Sequence, residues 1–443
     1  GSNNTAVGSW ALDANTTAND NTAVGSWGLS ANTTGTKNVG VGCSALASNT
    51  TASNNTAVGY YALKANTTGS KSIAIGYEAL MTQTTNGDNT AVGYQALRVT
   101  TGYNNVAVGD RSLSECTDGH NNTAAGRYSL QNLTGGDYNT AFGGEALQAM
   151  TTSNSNTAIG YAALEDCTGQ ENTAIGKGAA QQLTSSEGCI SIGYNAMGEG
   201  VTTGNDNIVI GNNAAKGATS AYANIVLGTE SFEAITTGNR NVSIGYRCME
   251  AATTADQCVA IGYAALQSVT TNDYLTAIGY EAMNACTSGG QNTAIGFGAL
   301  KAVTTNSANT AIGYKAAMGV TGGHNTAIGH DAMESVTDQP GNTAVGSYAM
   351  GNGAASGSTN GYNTAIGYGA CYQLTTGANN TAVGESALKE ITTGDNNSCI
   401  GRFAGLASSP SGEITTGSNT ICLGNNSVTD LYCADTSISS SDE

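Results

Sequence analysis

Asn156-Thr157-Ala158-Ile159-Gly160-Tyr161-Ala162-Ala163-Leu164 decides the fold, because it returns with substitutions along almost the whole chain. Its Gly recurs from Gly8 to Gly424 in 25 copies, and of the 24 intervals 18 are 17 residues, three are 16 and one is 18. Two longer intervals, 21 residues before Gly367 and 23 before Gly424, read as surface-loop insertions at Gly351–Tyr362 and Ala407–Gly417. A variable stretch and a Thr-Thr-Gly turn complete the unit. Helix-pair repeats need roughly 30 or more residues, so a 17-residue period predicts one coil of a parallel β-solenoid, with two short strands and two turns. The fold class is therefore all-β: a β-roll of about 25 coils over residues 1–428, followed by a tail at 429–443.

Composition supports this and excludes several functions. Only 10% of the 443 residues are charged, while Gly numbers 61 and Pro 2, a profile unlike that of a globular enzyme. Disordered chains are rich in charge and Pro, whereas here Val and Ile recur at fixed places. The net charge of -18 argues against nucleic acid and against anionic membrane surfaces as partners. No apolar run approaches the ~20 residues of a membrane helix, so no membrane insertion is expected. The start at Gly1, without Met or a signal peptide, reads as a processed or truncated product.

Substitutions among the copies give an expectation for each slot. The residue before the Gly is Val, Ile or Leu in 23 of 25 copies, and the one two earlier is Thr in 15 and Val or Ile in nine. Both are expected to face a dry core, since residues two apart share a strand face. Leu or Met four residues after the Gly, in 18 copies, makes a third inward row. The inward core is thus expected at Val58, Ile75, Val92, Ile159, Ile261, Ile278, Ile295, Leu63, Leu80 and Leu97. The residue between the first two rows is Ala in 18 copies and never charged. Small residues on an outward face imply close packing of another backbone. Ala57, Ala74, Ala91, Ala158, Ala260, Ala277, Ala294, Ala311, Cys399 and Cys422 are accordingly expected at a subunit contact. Charged residues such as Lys64, Glu78 and Asp88 mark the solvated edges.

Three ladders invite functional readings. Asn stands four residues before the Gly in 20 copies, and stacked amides at a corner satisfy turn backbone. The same rows generate glycosylation triplets, as at Asn3 and Asn15, automatically. Tyr60, Tyr77, Tyr94, Tyr161, Tyr194, Tyr246, Tyr263, Tyr280, Tyr314 and Tyr368 follow the Gly, as a candidate glycan-binding ladder or a shield for the edge of the subunit contact. The first Thr of the Thr-Thr pair is read as inward, replaced by Cys116, Leu133, Cys167, Leu183, Val320 and Val336, which leaves one outward Thr per coil and weakens an ice-binding reading. The 11 Cys show no redox or zinc spacing and most read as small buried residues. His120, His324 and His330 read as isolated surface residues. With no hydrolase, metalloprotease or phosphate-loop motif, no catalytic, cofactor or metal site is expected.

Ser72-Ile73-Ala74-Ile75-Gly76 and Asn241-Val242-Ser243-Ile244-Gly245 resemble the head repeats of trimeric autotransporter adhesins. The whole unit, as at Asn309–Met318, is similar to arrays in bacteriophage and algal-virus tail-fibre proteins. These resemblances imply a left-handed β-roll packed as a homotrimer, located extracellularly, on a cell surface or on a virion. They imply a fibre shaft for host attachment, with a host-surface or glycan receptor. Ser439-Ser440-Ser441-Asp442-Glu443 is similar to the junction before a self-removing chaperone domain of the endosialidase type. Alternatives are a secreted protein polymerising head to tail into filaments, and a glycan-binding or ice-binding solenoid.

Overall fold

The computed structural model describes residues 1–352 and 361–430. The described residues contain 25 strands and no helix, each strand three residues long, from β1 (Thr5–Val7) to β25 (Ile421–Leu423). The chain divides into two compact units, Gly1–Ala255 and Asp256–Glu443. The first holds β1 to β15 (Val242–Ile244) and the second β16 (Val259–Ile261) to β25. Within each unit successive strands pair in parallel with slot opposite slot, as in Thr56↔Ile73, Ala57↔Ala74, Val58↔Ile75 and Thr276↔Thr293, Ala277↔Ala294, Ile278↔Ile295. This is the all-β parallel solenoid with a repeat of about 17 residues that the sequence predicts.

A coil holds one strand, not the two expected. The remainder is turn, yet its backbone still bonds from coil to coil: Leu63 N–H donates to Ala79 O at 3.0 Å and Ala65 N–H to Met81 O at 3.1 Å. Left-handed residues bend the chain here, with φ of 60° at Tyr61 and 49° at Leu63. Gly59, at φ +141°, needs to be Gly for two reasons. L-residues avoid that backbone region, and a Cβ would sit 2.3 Å from the carbonyl oxygen of Gly76.

The strand faces are the reverse of the expectation. Ala57, Ala74, Ala91, Ala158, Ala260, Ala277, Ala294 and Ala311 are fully buried inside their own coil, so those side chains cannot face a sister chain. Cys399 and Cys422 share that slot and are likewise interior. Val58, Ile75, Ile159 and Ile295 stand 36–40% exposed, and Val92, Ile261 and Ile278 are half-buried. Leu63, Leu80 and Leu97 lie inside.

The reason is the narrowness of the coil. A Cβ added at Gly40, an Ala-slot Gly, would touch Leu29 Cγ at 3.4 Å and Ala45 O at 3.3 Å, so the slot is tight there, and Val is the largest residue that any copy holds in it, buried at Val209 and Val226. Where Ser occupies it, the hydroxyl donates into the interior, Ser191 Oγ to Ala196 O at 2.7 Å and Ser243 Oγ to Cys248 O at 3.0 Å. Small size there records a tight core.

Asn fills the rest of the interior. In one ladder Asn38 N–H donates to Asn21 Oδ1 at 3.0 Å, and the Asn38 amide donates to Ala52 O at 2.8 Å. A second ladder joins Asn32, Asn49 and Asn66, with amide to Oδ1 distances of 2.9 Å. Cys116, Leu133, Cys167, Leu183, Val320 and Val336 belong to this second row, one residue before the Thr pair. The first Thr of the pair is therefore not inward: Thr67 is half-buried and its hydroxyl donates to Thr84 O at 3.0 Å, while Thr68 is exposed. The insertion at Ala407–Gly417 forms turns beside the last coil, with Ser409 N–H donating to Leu406 O at 2.8 Å. Of the first insertion, 353–360 lies outside the described residues, as does the expected tail from 431 onward.

Candidate functional site

The outward side of the strands is the most extended surface feature of each unit. Strand geometry places the Thr-slot and pre-Gly side chains about 6.6 Å apart along a strand and ~4.8 Å apart between coils. No copy has a charged residue in either slot. In the first unit thirteen Val, Ile and Phe side chains of this face are 36–62% exposed, Ile73 and Ile75 among them at 40% each. In the second unit Thr occupies seven consecutive coils from Thr276 to Thr381, each followed two residues on by Ile or Val. Sequence reasoning assigned this face to the interior. Volume gave no signal, because the pre-Gly slot runs from Ala125 to Phe142 while the buried Leu row runs from Ala215 to Phe232.

The aromatic edge stands beside it. The ten Tyr are 40–58% exposed, but runs of them consume their own faces. Tyr60, Tyr77 and Tyr94 stack at 5.3 and 5.2 Å with 9° between planes. Tyr263, Tyr280, Phe297, Tyr314 and His330 continue the pattern in the second unit at 4.8–5.2 Å. His330 is thus a rung of the ladder, with Nδ1 3.0 Å from Asp331 Oδ2. His120 stacks on Tyr103 at 4.1 Å, and its Nδ1 accepts the Tyr103 N–H. Neither is isolated, as the sequence reading had them. The Tyr60 phenol is pushed up to about 12, first by its hydrogen bond with Tyr61, so it stays neutral at physiological pH.

Ten cysteines lie among the described residues, all as free thiols, and only Cys43 is exposed. Burial pushes the Cys116, Cys167 and Cys248 thiols up to about 11 and Cys399 up to about 12. Such thiols are protonated and inert at neutral pH. At Cys422 burial acts upward, but hydrogen bonds from Ser409 and Ser411 outweigh it and the thiol falls below its ordinary value.

Glu230, Glu233 and Glu250 place carboxylate oxygens within 4.8 Å of one another. Arg247 stands among them, its Nε 2.7 Å from Glu230 and 3.7 Å from Glu250, and offsets one of the three negative charges. A cleft of about 410 Å³ is lined by Tyr348, Tyr368, Gly369, Tyr372 and Lys389. The chain matches no protein-family model, and no curated protein is significantly similar to it.

Proposed function

We propose that the chain is a structural fibre protein: the shaft of a viral tail or host-attachment fibre or of a bacterial surface adhesin, assembled as a homotrimer outside the cell. The observation that supports this is the uncharged Thr/Val/Ile face carried by coil after coil. Covering the exposed 40% of an Ile contributes ~1 kcal/mol, from the ~1.5–3 kcal/mol of full burial. The thirteen most exposed residues of the first unit then supply ~13 kcal/mol per chain. Association costs ~4–15 kcal/mol, so burial of this face is of the size an assembly needs. One such face per coil suits cyclic packing about a common axis, and the resembling families use three chains. The partner surface is therefore the outer strand face of a sister chain, in place of the Ala rows.

Native mass measurement of the whole chain tests this. A species of three chain masses, with the strand face protected from solvent exchange, is the expected result. A stable monomer at micromolar concentration overturns it. In that case the seven consecutive Thr-x-Ile/Val pairs favour the ice-binding reading, which thermal hysteresis would reveal.

A further inference from the structure

We infer that Tyr348, Tyr368, Tyr372 and Lys389 form a binding site for an acidic sugar, a pyranose carrying a carboxylate. The site lies within one chain and does not depend on assembly. Elsewhere in the second unit the ladder rings lie nearly parallel, 7–18° apart, and each covers its neighbour's face. At Tyr348 this order breaks. Its ring stands edge-on to Tyr368 at 5.9 Å and 80°, and edge-on to Tyr372 at 6.4 Å and 78°. Face-to-face stacking is lost here, and Tyr368 is the most exposed of the ten ladder tyrosines at 58%.

These rings, with Gly369 and Lys389, line the cleft of about 410 Å³, within the usual range of small-ligand sites. A left-handed φ of 60° recurs at this slot in residues with side chains, but Gly369 adds no side chain to the cleft. Three tyrosines in such an arrangement can serve two ligand classes. A cage of ring faces attracts a quaternary ammonium, and a sugar places its slightly positive C–H face on the negative face of a ring.

Lys389 decides between them. It lines this cleft and also a neighbouring one that holds Glu390 and Glu413, yet among the described residues it makes no ion pair. An ammonium at the wall of the cleft repels a cation and offers three donors to a carboxylate. Phenol hydroxyls supply donors and acceptors for the sugar's own hydroxyls. The net charge of -18 opposes long-range attraction of any anion. The preference must therefore come from contact with Lys389, and single-site affinity should be weak.

Saturation-transfer NMR titration of the full chain with the methyl glycosides of N-acetylneuraminic acid, glucuronic acid, glucose and galactose, and with choline, tests the site. Binding of at least one acidic glycoside, roughly tenfold tighter than either neutral one, is expected. Lys389→Gln should abolish that preference while neutral sugars bind as before, and Tyr372→Ala should weaken all of them. Both variants should melt with the parent chain, because they change half-buried residues outside the coil interior. Choline binding in place of sugars, equal binding of acidic and neutral glycosides, no binding at all, or binding untouched by either variant would each overturn the inference.

Discussion

Adjacent residues of one strand should fail in opposite ways. In β5 (Ile73–Ile75) the two Ile are 40% exposed and Ala74 is fully buried. Ala74→Lys drives three further carbons and an ammonium into a slot whose largest occupant in any copy is Val. Overpacking costs ~1–3 kcal/mol, and burying an unpaired charge several kcal/mol more, so about 5 kcal/mol is expected, enough to melt the neighbouring coils. The double change Ile73→Lys with Ile75→Lys leaves the coil intact, since exposed substitutions move stability by about 0.5 kcal/mol or less. It removes ~1 kcal/mol of interface burial per side chain. Over three chains that is ~6 kcal/mol, roughly four orders of magnitude in association. Circular dichroism melts and light scattering after gel filtration read the two outcomes separately. A double variant that unfolds as readily as Ala74→Lys, or an Ala74→Lys chain that folds normally, would refute the assignment of the faces.

Gly59→Ala combines a disallowed φ of +141° with a backbone clash at 2.3 Å, and should lower stability by at least ~3 kcal/mol in urea titrations. Gly298→Ala, at φ +62° with no neighbour nearer than 3.8 Å, should cost only ~1–2 kcal/mol. Asn38→Leu leaves the Asn55 N–H, which donates to Asn38 Oδ1 at 3.0 Å, without its acceptor, and should cost ~1–3 kcal/mol by the same titration. Alkylation of the native chain at pH 8 followed by peptide mass analysis should label Cys43 quickly. Cys116, Cys167 and Cys248, whose thiols lie near 11, should stay unmodified until the chain is denatured.

The comparison of Gly59 with Ala74 shows how far slot statistics reach. A Gly that never varies over 25 copies reports its own backbone, because steric exclusion at positive φ acts within the residue and its nearest neighbour. The Asn row and the Leu row were legible for a similar reason: each has one chemically sensible place, at a corner or in a core. An Ala that never becomes charged reports only that something is close. Whether that neighbour is the same coil or another chain depends on the width of the coil, which the period of 17 leaves open. The aromatic edge divides likewise. Tyr at a fixed slot announces a ladder, but the stacked rings of Tyr60 and Tyr77 and the splayed rings of Tyr348 and Tyr368 follow the same sequence signal or lie one residue from it.

By itself, then, the sequence determined the period, the parallel in-register stacking and the obligatory Gly line. All three follow from local conformational limits repeated along the chain. Only the tertiary structure decided which strand face is inside, because that depends on how Leu63, Asn55 and Ala57 share one narrow interior. The same packing turned Ile73 and Ile75 outward and, where the ladder breaks at Tyr348, opened the cleft beside Lys389.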